Sequence, residues 1–347
     1  MSTSFWLKMT SDVVRFWCNR RKTIAGVCAA NLVFLMGMQS VWAQANLYPQ
    51  AGRPVKIVVP YPSGGGSDAM ARLVAAKLTE SLGGSFIVEN RVGASGNIGL
   101  AQVAKAPADG YTLIMMPNNL AINPPLFGKV DYDAVKDFSP ILLVGTSPVS
   151  ITANAKAPFK TLEEMMLFAR RNPGKLSYAS CGNGTPQHLA AELFISMTNI
   201  EMTHIPYKGC SQALPDVISG TVPLAFSTIA NAAPHVQSGA LLDIAVTTRK
   251  RSSFVPNIPS VSEFQGLKDY DIDVWFGLLA PSGTPVQIIQ RINAAVNAAL
   301  KTEDVKQRLA RTNFEALGGT PEQFAEVLQK DIARYTKIIR DAQIKVD

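Results

Sequence analysis

Two stretches of the chain repeat one order of elements, and that repeat limits what the rest can fold into. In Lys56-Ile-Val-Val-Pro60-Tyr-Pro-Ser-Gly64-Gly-Gly-Ser-Asp68, a short apolar strand runs into a glycine loop. The apolar-periodic run Ala69, Leu73, Ala76, Leu78 then predicts a helix from about Asp68 to Ser81. In Lys175-Leu-Ser-Tyr-Ala-Ser180-Cys-Gly182-Asn-Gly184-Thr-Pro-Gln-His188, the order is the same, with Thr185 as N-cap and Pro186 opening the helix. Gly66 and Gly184 stand 118 residues apart. A strand that enters a helix through glycines gathers backbone N–H groups at the positive end of the helix dipole, a place that favours an anion. Two such places in two similar α/β halves predict one ligand held between two lobes.

The first 45 residues stand outside this pattern. Arg15, Arg20, Arg21 and Lys22 precede an apolar run from Thr23 to Met38, and small-residue cleavage patterns end at Ala43 and Ala45. A removable export signal is expected, because a membrane span needs roughly 20 apolar residues. Residues 1–43 carry a net +4 of the chain's +7, so the remainder is only mildly basic and does not call for nucleic acid. Of four cysteines only Cys181 and Cys210 follow that segment. Each comes directly after a strand of one βαβ unit, so the two are expected side by side, and export favours a disulfide between them.

Strands and helices alternate through the chain, which predicts parallel sheets with helices on both faces. Strands are expected at Phe138–Val144 and Val149–Ala153, with the crossing to the second lobe between them, and the loop Pro256–Ser262 is expected to carry the return. The division is then a signal peptide at 1–45, a first lobe from 46–148 and 262–347, and a second lobe at 149–261. Thr161-Leu-Glu-Glu164 predicts a capping box, and Thr284 and Thr320 are expected to cap helices. The last helix carries Phe324, Val327, Leu328, Ile332, Tyr335, Ile338 and Ile339 on one face, expected to pack on the first sheet.

Enzymatic alternatives are weak. Gly64-x-Gly66-x-x-Ala69 with Glu89 imitates a dinucleotide fingerprint, but Pro60 and Pro62 stiffen the turn. Ser63, Ser67, Ser95 and Ser180 with His188 could be imagined as hydrolase groups, yet no Gly-x-Ser-x-Gly elbow occurs. The three histidines, His188, His204 and His235, have no metal-ligand spacing. An exported dinucleotide-binding or hydrolytic α/β enzyme stays as the alternative to a binding protein. No cofactor or metal is expected.

Five motifs together resemble the Bug-type (Bordetella uptake gene) receptors, the extracytoplasmic receptors of tripartite tricarboxylate transporters. They are Pro60-Tyr-Pro-Ser-Gly-Gly-Gly-Ser-Asp68, Glu89-Asn-Arg-x-Gly-Ala-x-Gly96, Tyr178-Ala-Ser-x-Gly-Asn-Gly-Thr-x-x-His188, Pro206-Tyr-Lys-Gly209 and Trp275-Phe-Gly-Leu-x-Ala-Pro281. The resemblance implies a type II periplasmic-binding-protein fold with two crossovers and no catalysis. It also implies a periplasmic monomer that clamps a carboxylated solute and passes it to a two-component permease. The ligand would be held by Tyr61, Ser63, Gly64, Gly65, Gly66, Ser67 and Asp68 of one loop and by Ser180, Gly182, Asn183, Gly184 and Thr185 of the other. His188, Asn118, Asn119, Lys208, Thr228 and Phe276 complete the expected site. A Cβ at Gly184 is expected to intrude on the ring of amides.

Overall fold

The computed structural model describes residues 48–346. The chain separates into units 1–48 and 49–347. Of the first unit only Tyr48 is described, so the expected signal peptide and its cleavage site lie outside the described residues.

The second unit is built on two sheets that share a strand. In the first, β1 (Val55–Val59), β2 (Phe86–Asn90) and β3 (Thr112–Pro117) run parallel, and β9 (Asp273–Pro281) lies antiparallel between β3 and β4 (Phe138–Asn154). The order is β2-β1-β3-β9-β4, and β10 (Glu315–Gly318) flanks β4. In the second sheet, β5 (Ser177–Ser180) and β6 (Thr203–Pro206) run parallel to β7 (Leu224–Thr228), and β4 passes antiparallel between β7 and β8 (Leu241–Val246). That sheet therefore reads β6-β5-β7-β4-β8, the same pattern with one reversed strand. This is the expected two-lobed α/β architecture.

The two strands expected at 138–144 and 149–153 are one strand. β4 pairs with β9 through Pro148 and with β7 from Val149 onward. Gly and Pro inside a run ordinarily mark a break. Here Gly145 is needed for another reason: a Cβ on it would stand 2.7 Å from the Glu315 carbonyl of β10. Ser260 forms a parallel bridge with Val246, and the Ile272 N–H donates to the Thr247 carbonyl at 2.8 Å, so the chain stays against β8 until it enters β9.

Helices follow the strands. These are α1 (Gly66–Leu82), α2 (Asn97–Ala104), α3 (Asn119–Phe127), α4 (Leu162–Arg171), α5 (Pro186–Thr198), α6 (Cys210–Ser219) and α7 (Ile229–Gln237). The C-terminal part adds α8 (Val286–Lys301), α9 (Glu303–Arg311) and α10 (Pro321–Asp341). α3 and α7 carry Pro124, Pro125 and Pro234, which hid them from a reading by periodicity. His235 falls in the last turn of α7. Thr320 and Gln323 form the full capping box. Thr161 caps the Glu164 N–H, but the Glu164 carboxylate reaches back one residue further, to the Lys160 N–H at 2.6 Å. Pro285, not Thr284, is the N-cap of α8; Thr284 donates its hydroxyl to the Pro281 carbonyl. α10 buries Phe324, Leu328, Tyr335 and Ile339. The Phe324 ring meets Trp275 of β9 edge-on at 5.3 Å, as expected for a helix on the first sheet.

Candidate functional site

The strand ends of both sheets and the starts of the helices that follow them face one cavity of about 60 Å³, room for roughly four to six waters. α1 brings Gly66 and Ser67, with Tyr61 and Gly65 ahead of it. α5 brings Pro186 and Gln187 behind Thr185, α6 brings Cys210 and Ser211 behind Gly209, and α7 brings Asn231 behind Thr228. Asn119 of α3 and Val274 and Phe276 of β9 close the wall. Among the described residues no charged side chain lines it.

The helix starts differ in how they are capped. A helix leaves its first N–H groups without intrahelical partners, and a side-chain oxygen at the N-cap ordinarily takes one. α1, α6 and α7 have no side-chain cap: Gly65 and Gly209 cannot supply one, and Thr228 turns its hydroxyl to Asn231 Oδ1 at 2.7 Å. Of the helices that start away from the cavity, α4 and α10 are capped by threonines, and α8 and α9 have no side-chain cap. At α5, Thr185 takes the His188 N–H and leaves that of Gln187. The cavity is thus ringed by donors, a setting that accepts an anion without a lysine or arginine.

Two polar knots hold the glycine loops. Asp68 accepts from the Gly64 N–H at 3.1 Å, from Arg72 Nε at 2.8 Å and from Asn90 Nδ2 at 3.0 Å, and Asn90 also donates to the Tyr61 carbonyl. Burial pushes Asp68 upward, but Arg72, Gly64 and Asn90 together hold it below the usual carboxylate range. Asp68 is a charged brace under the loop and does not line the cavity; Ser63 and Gly64 are exposed at the loop's outer turn.

In the second loop Ser180 Oγ accepts from the Gly182 N–H at 3.1 Å and pairs with His204 Nε2 at 2.7 Å. The Gly184 N–H donates to His188 Nδ1 at 3.2 Å. His188 stacks on His204 at 4.2 Å, and His204 stacks on Tyr178 at 4.8 Å. Burial, and then the neighbouring His204, lower His188 to about 3, and burial lowers His204 to about 4. Both rings are neutral at pH 7. His188 and Ser180 support the loop from behind, and neither lines the cavity.

The expected disulfide between Cys181 and Cys210 is formed. It ties the second loop to the start of α6, and both cysteines face the cavity.

Several expected site residues lie elsewhere. Asn118 is fully buried; it accepts from the Trp275 N–H at 2.9 Å and donates to Tyr335 Oη at 3.0 Å, stitching β3, β9 and α10 together. Gly182, Asn183 and the exposed Lys208 line a neighbouring cavity of about 480 Å³, which also contains Ser95 and Gly96. Gly184 has φ +72°, and its Cβ would meet Leu126 at 2.7 Å and Phe127 at 3.3 Å on α3. It would strike the opposite lobe, not the ring of amides. Gln187, Ser211 and Asn231 were missed by sequence reasoning. For Ser211 the usable signal was Lys208-Gly209-Cys210 ahead of an apolar run; for Asn231 it was masked by Pro234.

Two sheets sharing a strand, with helix starts from both closing on one cavity, define a two-lobed solute-binding protein. The chain belongs to the tripartite tricarboxylate transporter family receptors, whose family model matches residues 70–344. It is 32% identical to BugT of Bordetella pertussis over 304 residues, 87% of this chain and 92% of that one. Rpa4515 of R. palustris, solved with adipate, is 34% identical with a TM-score of 0.82, covering 86% of this chain and 99% of that one. MatC from Rhodopseudomonas palustris, solved with malate, is 30% identical with a TM-score of 0.78, covering 84% and 100%. Receptors of this family are periplasmic and bind solutes for tripartite transporters; the chain is a solute receptor and not an enzyme.

Proposed function

We propose that this receptor captures a small carboxylated organic solute between its lobes and delivers it to a two-component membrane permease. The observation that carries this is the set of uncapped helix starts, from α1, α6 and α7, around a cavity with no charged lining side chain. A carboxylate there accepts N–H groups from both lobes at once, which favours the closed arrangement. The bound acids of Rpa4515 and MatC support the same ligand class. The proposed contacts are Tyr61, Gly65, Gly66, Ser67, Asn119, Thr185, Thr228 and Phe276 from the expected set, joined by Gln187, Ser211 and Asn231. Asp68, Asn118, Ser180, Gly184 and His188 support the walls from behind, Ser63 and Gly64 form the exposed outer turn, and Gly182, Asn183 and Lys208 line the neighbouring mouth.

The lobes divide at 148/149, where β4 passes between sheets, and again between residue 261, where the second lobe was expected to end, and Asp273, where the chain enters β9. The receptor works as a monomer in the periplasm after removal of residues up to Ala43 or Ala45. A thermal-shift screen of the exported form against organic acids tests the ligand class, since a solute that binds only the folded state raises its melting temperature. A shift with acids, and none with neutral solutes of the same size, is expected. Shifts with neutral solutes and none with acids would overturn it.

A further inference from the structure

Asn119 is fully buried and lines the cavity, and its two ends have different fates. Nδ2 donates twice, to the Gly184 carbonyl at 2.8 Å and to Asn123 Oδ1 at 3.3 Å. Asn123 is held in turn, donating to the Ser95 carbonyl at 3.0 Å and to Asn97 Oδ1 at 2.8 Å. The amide cannot turn over, because Oδ1 would then face two acceptors. Oδ1 is left buried without a hydrogen-bond partner. A buried acceptor in that state is costly unless something donates to it.

We propose that the solute supplies that donor, so that the receptor selects a hydroxylated carboxylic acid over its deoxy counterpart, with Asn119 as the residue that reads the hydroxyl. This rests on the carboxylate reading of the same cavity. The chemistry divides between the two groups of the solute. The ring of N–H donors suits the carboxylate, which has only acceptors. Asn119 Oδ1 repels a carboxylate oxygen and accepts an O–H. A hydroxyl can complete the pair without a charge, which agrees with the uncharged wall. Asn119 is also a clasp between lobes, since its Nδ2 reaches from α3 to the loop before α5. Donation to Gly184 fixes which end of the amide is left unpartnered, so the hydroxyl is read in the arrangement in which α3 meets the second glycine loop.

Calorimetry on the exported receptor with three matched pairs tests this: lactate and propionate, malate and succinate, mandelate and phenylacetate. In any pair that binds, the hydroxylated acid is expected to bind at least about ten-fold more tightly. Asn119→Leu is expected to weaken both members and bring them within about two-fold of each other. Equal affinities within pairs in the unaltered receptor overturn this inference and leave the carboxylate reading in place. A preference that survives Asn119→Leu overturns the role of Asn119. Binding of none of the six acids overturns this inference, and the thermal-shift screen against other acids and neutral solutes then decides the carboxylate reading. Should Asn119→Leu fail to fold, a crystal structure of the unaltered receptor with its tightest acid decides. A hydroxyl within about 3.2 Å of Oδ1 supports the assignment, and a water or an aliphatic carbon there overturns it.

Discussion

His188 shows how a residue can matter to a site without entering it. It takes the Gly184 N–H on Nδ1, which requires an unprotonated Nδ1, and it stacks on His204. The groups facing it are His204 and the Glu192 carboxylate at 3.7 Å; burial raises Glu192, against the lowering effect of the Tyr178 hydroxyl. Burial, joined for His188 by His204, depresses both histidines, to about 3 and about 4. In the unfolded chain they titrate near about 6.5. Between these values the unfolded state binds more protons, so stability rises with pH. The stability is complete above about pH 6.5 and is lost as pH falls toward 4, by at most about 1.4 kcal/mol per unit for each histidine. Guanidinium melts from pH 7 to pH 4 should show this decline, and His204→Phe should reduce its slope by about half. Parallel profiles for the two proteins would show that these histidines do not govern acid lability. From the sequence His188 was expected in the ligand site, and nothing in spacing could show that a second histidine, 16 residues on, stacks against it.

At the scale of elements, the glycine loops and the strands before them were legible because strand periodicity, glycine and an N-cap threonine are local signals. What was not local was which neighbour each element meets. Gly184 was recognisable as special, but the reason is the close approach of Leu126 and Phe127 from a helix hidden behind two prolines. Gly184→Val should therefore hold the lobes apart. We expect a loss of solute affinity of at least about ten-fold, a stability cost of about 1–3 kcal/mol from the left-handed backbone, and a retained cooperative melt. Solution scattering should show a larger radius of gyration than that of the unaltered receptor with solute. Unchanged affinity would contradict the closure role. The disulfide was legible for the opposite reason: two strands of one βαβ unit bring their ends together by topology alone. It closes a 29-residue separation, so Cys210→Ser should lower stability by about 3.6 kcal/mol in the chain-entropy model. Chemical denaturation measures this, and a loss below about 1 kcal/mol would mean that the unfolded chain is little constrained by the bridge.

At the scale of the whole molecule, duplication explains the site. Each sheet has three parallel strands beside one reversed strand, and the helices after those strands start on the same side. When β4 serves both sheets, the two sets of helix starts face each other. The duplication and the two lobes could be read from the sequence. The continuity of β4 could not, because Gly145 and Pro148 imitate a break that β10 and β9 bridge. The cavity's lining was half legible: the glycine loops that lead into α1 and α5 were foreseen, and the first turns of α6 and α7 were not. The central claim is that opposed helix starts hold a carboxylate, and it is tested by calorimetry with an acid from the thermal-shift screen and its primary amide. The amide keeps the size and shape of the acid but replaces one acceptor oxygen with a donor and removes the charge. The account predicts one-to-one binding of the acid, recovery of the acid unchanged, and at least about 100-fold weaker binding of the amide. An amide that binds as tightly as the acid would contradict it.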